Sequence, residues 1–396
     1  MKAARSNFGA AQLKRLFKPL ASSKTVAIAV SGGGDSMALL HLAKQWGGAD
    51  LVALTVDHGL RAGSAQEAKQ AARWCKALGI RHHTLKWKHD GITSGLQAKA
   101  RTARYDLMSA WCAKHRVGAL LTAHTAEDQA ETVAMRSRRS SRDASLAAIW
   151  PETQWSGLRI LRPLLPVTRS ALRAYLTAIG QDWIEDPSNH DPRFERVRIR
   201  QEAPNVLLAA TARAAQAKVK TARTEATRWM KRHAHLEVSG MITLAPDALA
   251  LIPGAARDDA LLQILARAGG TPPDRSRRDA LMEWLAAQEP GRRTLGGVLF
   301  AKRKRQILIA REPARIAAQA VTLHPARAII WDRRFLVSGP PGSVITPKAA
   351  IKTLKRQEGL PAFVDAGLPV IRRGAEILAD PFVSHHKAAK IKLIFK

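Results

Sequence analysis

Between residue 25 and about residue 135, apolar runs of strand length alternate with segments whose apolar residues recur at three and four spacings. That alternation specifies a parallel sheet covered by helices, the doubly wound α/β class. Strands are expected at 26–30, 51–56, 81–87 and 119–123, and helices at 36–46, 64–78 and 96–115. A basic amphipathic helix carrying Leu13, Leu16, Phe17 and Leu20 leads into the first strand. After Trp150 the regularity weakens: Pro151, Pro163 and Pro166 punctuate a connector, followed by a helix at 168–179 and a polar loop, Asp186-Pro187-Ser188-Asn189. The expected organisation is an N-terminal domain over 1–204, a mainly helical domain over 205–315 ending in a strand pair near 299–310, and a small α+β domain over 330–396.

Composition narrows the partners. The 396 residues hold 64 Lys+Arg against 32 Asp+Glu, a formal charge of +32 that points to a polyanion, nucleic acid foremost. Solvated Arg-rich faces are the bland alternative. Cys75 and Cys112 stand far apart with no CxxC spacing around them, which argues against zinc, an iron-sulfur cluster or a disulfide framework. No apolar run is long enough to cross a bilayer and no signal-peptide core is visible, so a cytoplasmic location away from membranes is expected.

The first strand runs directly into Ser31-Gly32-Gly33-Gly34-Asp35-Ser36, and a helix follows. Glycines let backbone N–H groups converge on an anion at a helix N-terminus. The loop lacks the Lys of a Walker sequence and has Met37 where a dinucleotide loop needs its third glycine. In a doubly wound sheet ligands bind beyond the carboxyl ends of the strands. The other unusual residues lie there too: Val56-Asp57-His58-Gly59-Leu60-Arg61 after the second strand, and the run from Ala123 and His124 to Thr132 after the fourth.

The six-residue loop resembles the pyrophosphate (PP) loop of the ATP-pyrophosphatase superfamily, whose members transfer AMP to a carbonyl oxygen and release pyrophosphate. With the segments at 56–61 and 123–132, Ala100-Arg101 and Arg104-Tyr105 on the third helix, and the loop at 186–189, the chain resembles the tRNA(Ile)-lysidine synthetases. The resemblance is dense over 25–200 and weaker beyond, where Leu295-Gly296-Gly297 and Lys352-Thr353-Leu354-Lys355 are similar to that family's appended, tRNA-binding domains. It implies a ligase that joins the ε-amine of free lysine to C2 of the wobble cytidine in the CAU anticodon of an isoleucine tRNA, using ATP.

Under that resemblance, Ser31, Gly32, Gly33, Gly34, Asp35 and Ser36 bind the ATP phosphates, Asp57 and His58 lie by the adenosine, and Asp35 holds Mg2+ or orients phosphate. A helix N-terminal acid and a capping acid are the plainer readings of Asp35 and Asp57. His124 contacts phosphate or the adenylated base. Asp128 and Glu131, three apart on a helix, offer an acidic patch to a lysine substrate, with Asp128 counted among the catalytic groups. Arg104 meets phosphate or RNA, a role Arg101 could fill equally. Arg136, Arg138, Arg139 and Arg142 follow this helix and, with Arg198 and Arg200, form the expected tRNA footprint. The segment 136–142 stands where that family usually carries a Gly-rich stretch. The competing functions are another adenylating enzyme on the same loop, such as a tRNA thiolase, and a non-catalytic basic RNA-binding protein.

Overall fold

The computed structural model describes residues 8–59, 63–89, 95–185, 198–200, 207–287, 289–316, 320–324 and 327–394. The chain divides into two compact units, Met1–Val219 and Lys220–Lys396. In the first, six strands form one sheet: β1 (Thr25–Ala29), β2 (Asp50–Asp57), β3 (Arg81–Lys86), β4 (Ala119–Leu121), β5 (Glu152–Trp155) and β6 (Leu158–Leu161). Their spatial order is β3-β2-β1-β4-β6-β5, parallel except for the antiparallel edge strand β5.

Alternation along β1 sorts the two faces. Val26 and Ile28 join the core formed with Phe17, Leu39, Leu40, Leu172 and Leu176, whereas Ala27 joins Leu54, Tyr105, Met108 and Leu120 on the other side. The helices follow that division. α1 (Ala10–Leu16), α2 (Gly34–Trp46), α3 (Ser64–Ala77) and the later α7 (Arg169–Ala178) supply the first face, and α4 (Leu96–Lys114) the second. The apolar spacing of the sequence therefore reads out as burial. The switch in winding falls between β1 and β4, which pair at Ala27↔Leu120 and Ile28↔Leu121. In a doubly wound sheet, ligands bind in the crevice beyond the carboxyl ends of the strands at such a switch point.

The segment after Trp150 departs from expectation. In place of an irregular connector, β5 and β6 form a hairpin across the two-residue turn Ser156-Gly157, both at positive φ (45° and 83°), and β6 pairs with β4. α5 (Ala126–Ser137) follows β4, and the single turn α6 (Asp143–Leu146) follows α5. The loop at 186–189, Arg193, Arg196, Leu60 and Arg61 lie outside the described residues.

A long helix, α8 (Leu208–His233), passes from one unit into the other. The second unit adds α9 (Arg257–Arg267), α10 (Arg275–Ala286) and a five-stranded antiparallel sheet over 234–311. Within it, Val298–Lys302 and Ile307–Arg311 are the expected strand pair, packed with Trp229, Leu261 and Leu281. The region from 321 onward forms two further small sheets, of four and three strands.

Candidate active site

At the end of β1 the chain turns through Gly32, at φ 84°, into α2, whose first turn is preceded by Gly33. No side chain caps this helix end. Its first amides, Gly34 to Ser36, have no preceding turn to supply acceptors, the situation in which a helix end can take an anion. The hydroxyl of Ser36 donates to the carbonyl of Gly33 (2.8 Å), and the Ser31 hydroxyl accepts, at 3.4 Å, from the amide of Gly33. These bonds hold the loop closed. Ile184 donates its amide to the Gly32 carbonyl (2.9 Å), and a Cβ at Gly32 would lie 2.6 Å from Ile184 Cδ1. Both the positive φ and this close approach favour glycine.

The fourth strand hands over to α5 through Thr122-Ala123-His124-Thr125. The His124 Nδ1 atom lies 3.0 Å from the Thr122 hydroxyl, which fixes the ring at the mouth of the crevice. Thr125 and Asp128 form a reciprocal capping box: the Thr125 amide donates to Asp128 Oδ2 (2.8 Å), and the Asp128 amide donates to the Thr125 hydroxyl (3.4 Å). Asp128 thus caps the helix as well as facing the site. It is buried, as is Glu131.

The residue that gathers the site was not singled out in the sequence. Arg169, first in α7, directs Nε to Asp35 Oδ2 (3.2 Å), Nη2 to Asp128 Oδ1 (2.5 Å) and Nη1 to Glu131 Oε1 (2.9 Å). Its own backbone amide donates to both carboxylate oxygens of Glu127 (2.9 and 3.0 Å). Arg200, expected in the tRNA footprint, instead lies on Glu131, with Nε 2.9 Å from Oε1 and Nη2 3.3 Å from Oε2. Among the described residues, the carboxylates of Asp35, Asp128 and Glu131 meet the guanidinium of Arg169, and Glu131 also meets that of Arg200, an acidic cluster in a strongly basic chain. Burial works against the charge on Arg169, but Asp128, Glu131 and Asp35 outweigh it and hold the group more firmly protonated than usual. Burial raises the Asp35 carboxyl above its ordinary value; Arg169 opposes that shift and Asp128 adds to it.

On the other side of β1, Asp57 Oδ1 accepts from the Gly59 amide (3.0 Å) and the Ser64 hydroxyl (2.8 Å). Its carboxyl is held low chiefly by the Ser64 bond, so in this structure Asp57 shapes the turn into α3. Arg104 Nε points at His58 Nε2 (3.4 Å), whereas Arg101 lies over the Tyr105 ring, 5.2 Å from its centroid. Of the two arginines, Arg104 is the one brought to the strand ends. Burial, then the neighbouring Arg104, pushes the His58 imidazole down to about 4. The folded protein therefore keeps His58 neutral where the unfolded chain, near 6.5, takes up a proton. Stability contributed by this group is complete above pH 6.5 and is lost as pH falls toward 4. Because the ring is only half buried, the expected loss is about 1 kcal/mol. His58→Gln should flatten the slope of unfolding free energy between pH 6.5 and 4, measured by urea titration; an unchanged slope would refute the assignment.

Beyond α5, Arg136 donates from Nη1 to the carbonyls of Ser145 (3.3 Å) and Ala148 (3.2 Å), which fastens the turn into α6. Arg138, Arg139 and Arg142 are exposed on that turn, and Arg198 is exposed beside the site.

Residues 6–207 match the sequence profile of the PP-loop domain family. A tRNA(Ile)-lysidine synthase from Ruegeria pomeroyi is 37% identical to the chain over 378 residues, covering 90% of it and 88% of the relative. Proteins of the same name from a Bradyrhizobium species and from Rhizobium meliloti are 35% and 32% identical; these alignments cover 77% and 93% of the chain, and 95% and 84% of the relatives. Among the described residues, no helix is long and apolar enough to cross a membrane. A PP-loop at the switch point, an acidic helix beside it and similarity along most of both chains lead to one assignment: the chain belongs to the tRNA(Ile)-lysidine synthase family.

Proposed function

We infer that the chain joins the ε-amine of free lysine to C2 of the wobble cytidine in the CAU anticodon of tRNA(Ile), through a cytidine adenylated at O2. The observation that carries this reading is the meeting, around Arg169, of an uncapped glycine-lined helix end with the buried carboxylates of α5. The first element suits a leaving pyrophosphate and the second an incoming ammonium.

In the first step cytosine O2 attacks the α-phosphorus of ATP, and charge builds on the departing pyrophosphate. The amides of Gly34 to Ser36 and the hydroxyls of Ser31 and Ser36 face that charge and are already ordered before reaction. Asp35 is the residue of the loop that would hold Mg2+, a hard cation that would offset charge on the phosphates. Among the described residues no group of three or more His, Cys, Asp or Glu side chains is arranged to hold a metal. In the second step the lysine amine attacks C2 and AMP departs. The ammonium is drawn to the carboxylates of α5 and must first lose a proton, which a neighbouring carboxylate of that cluster or His124 accepts. A single-stranded anticodon loop presents an unstacked cytosine without duplex melting, and exposed arginines such as Arg138, Arg139 and Arg142 provide salt-dependent affinity.

Incubation with ATP, labelled lysine and a CAU-anticodon isoleucine tRNA transcript tests the reading. Label should enter the RNA only with ATP present and only when the wobble base is cytidine. Incorporation without ATP, or into a transcript carrying uridine there, would overturn it.

A further inference from the structure

Arg169 joins two elements that do different work. α2 carries the phosphate loop, α5 carries the acidic pair, and no backbone pairing links the two helix starts. One guanidinium bridges them, with separate nitrogens on Asp35, Asp128 and Glu131. The base of this bridge is itself fixed. Glu127 accepts the Arg169 amide through both oxygens, the Ala126 amide donates to the Val167 carbonyl (2.9 Å), and Thr168 caps α7. The guanidinium stem therefore springs from a locked helix start, and the side chain is mostly shielded, at 18% exposure.

An arginine in the first turn of a helix runs against the helix macrodipole. Here no acid of α7's own first turn offsets it. Its position is explained by the carboxylates of the other two elements. A planar fork with five donors can serve three acceptors at once, which an ammonium on a flexible stem cannot do with the same geometry.

We propose that Arg169 is a positioning residue that locks the phosphate loop and the acidic helix into one arrangement, acting through Asp35, Asp128 and Glu131, so that the ATP and lysine sites are set together. This rests on the reading that these carboxylates attract the lysine ammonium. It assigns to Arg169 no bond made or broken in the reaction. Loss of the fork leaves α2 and α5 each folded but free to shift by a fraction of an ångström, enough to misalign phosphate and amine. Both small substrates then suffer, whereas tRNA, held mainly through phosphate contacts elsewhere, does not.

The test is steady-state kinetics of the full chain with Arg169→Lys and Arg169→Ala. For Arg169→Lys, which keeps the charge, the KM values for ATP and for lysine should both rise about 10-fold and kcat should fall about 100-fold. The KM for tRNA should stay within about 2-fold of wild type. Guanidinium ion at non-denaturing concentration should restore Arg169→Ala at least about 10-fold and leave the wild type unchanged, a rescue that general loss of structure would not show. The proposal is overturned if Arg169→Lys moves only one of the two small-substrate constants, if all three constants rise together with a falling melting temperature, or if folded Arg169→Ala is not rescued. A wild-type enzyme indifferent to lysine would instead sink the underlying reading, independently of what the variants do.

Discussion

Asp35→Ala should reduce lysine incorporation by about 1000-fold or more while leaving tRNA affinity and its salt slope nearly intact. The side chain stands in the first turn of α2, next to the amides offered to pyrophosphate, and Arg169 holds it at 3.2 Å. Removing it releases one arm of the bridge to α5 and, under the proposed function, deletes the loop's own oxygen ligand for Mg2+. Loss of a preorganised electrostatic group costs about 100- to 1000-fold, and loss of the bridge adds to it. Under the proposed function RNA binding rests on arginines away from the loop, and each phosphate contact contributes separately to the salt dependence. Filter binding across a salt series, run beside the incorporation assay, separates the two effects. Equal loss of activity and binding would mean that the loop serves folding or RNA contact rather than adenylation.

Glu131→Ala should act through stability as well as activity. The side chain is only 2% exposed and receives Arg169 at 2.9 Å and Arg200 at 2.9 Å. Its removal leaves Arg169 with Asp35 and Asp128 but takes from Arg200 the carboxylate it lies on, and loss of one partner of a buried ion pair costs about 3–5 kcal/mol. Arg200 is 34% exposed and can turn to solvent, which places the expected cost near the lower figure, about 3 kcal/mol. For a unit of this size that corresponds to a melting temperature lower by about 10 °C. Calorimetry should show the shift in the transition of the N-terminal unit alone. A variant as stable as the wild type would show that the two arginines do not depend on this carboxylate.

The parts of the site that were legible in the sequence are those built from consecutive residues. The loop at 31–36 is contiguous, and its glycines answer to a local backbone requirement at Gly32. Asp128 and Glu131 stand three apart on one helix, and β1 lies in a single apolar run. What was not legible depends on which strands become neighbours. Arg169 is separated from Asp35, Asp128 and Glu131 by 134, 41 and 38 residues, and only the pairing of β6 with β4 brings α7 against the start of α5. That pairing was itself obscured, because β5 and β6 have four residues each, lie among prolines and announce themselves only by the Ser156-Gly157 turn. In a chain with 64 Lys+Arg, one more arginine carries little information. The available signal was its place, a cation in a helix's first turn where the macrodipole disfavours it. Arg200 shows the converse: grouped by sequence with Arg198 as an RNA contact, it is turned inward by Glu131.

The central claim is that the phosphate loop adenylates the cytosine before lysine arrives, and the fate of one oxygen tests it most directly. A tRNA(Ile) transcript whose wobble cytosine carries 18O at position 2 should, after reaction with ATP and lysine, give up its label entirely to AMP. Pyrophosphate should stay unlabelled, because O2 attacks the α-phosphorus and leaves with it. Label released to water, or found in pyrophosphate, would contradict the account.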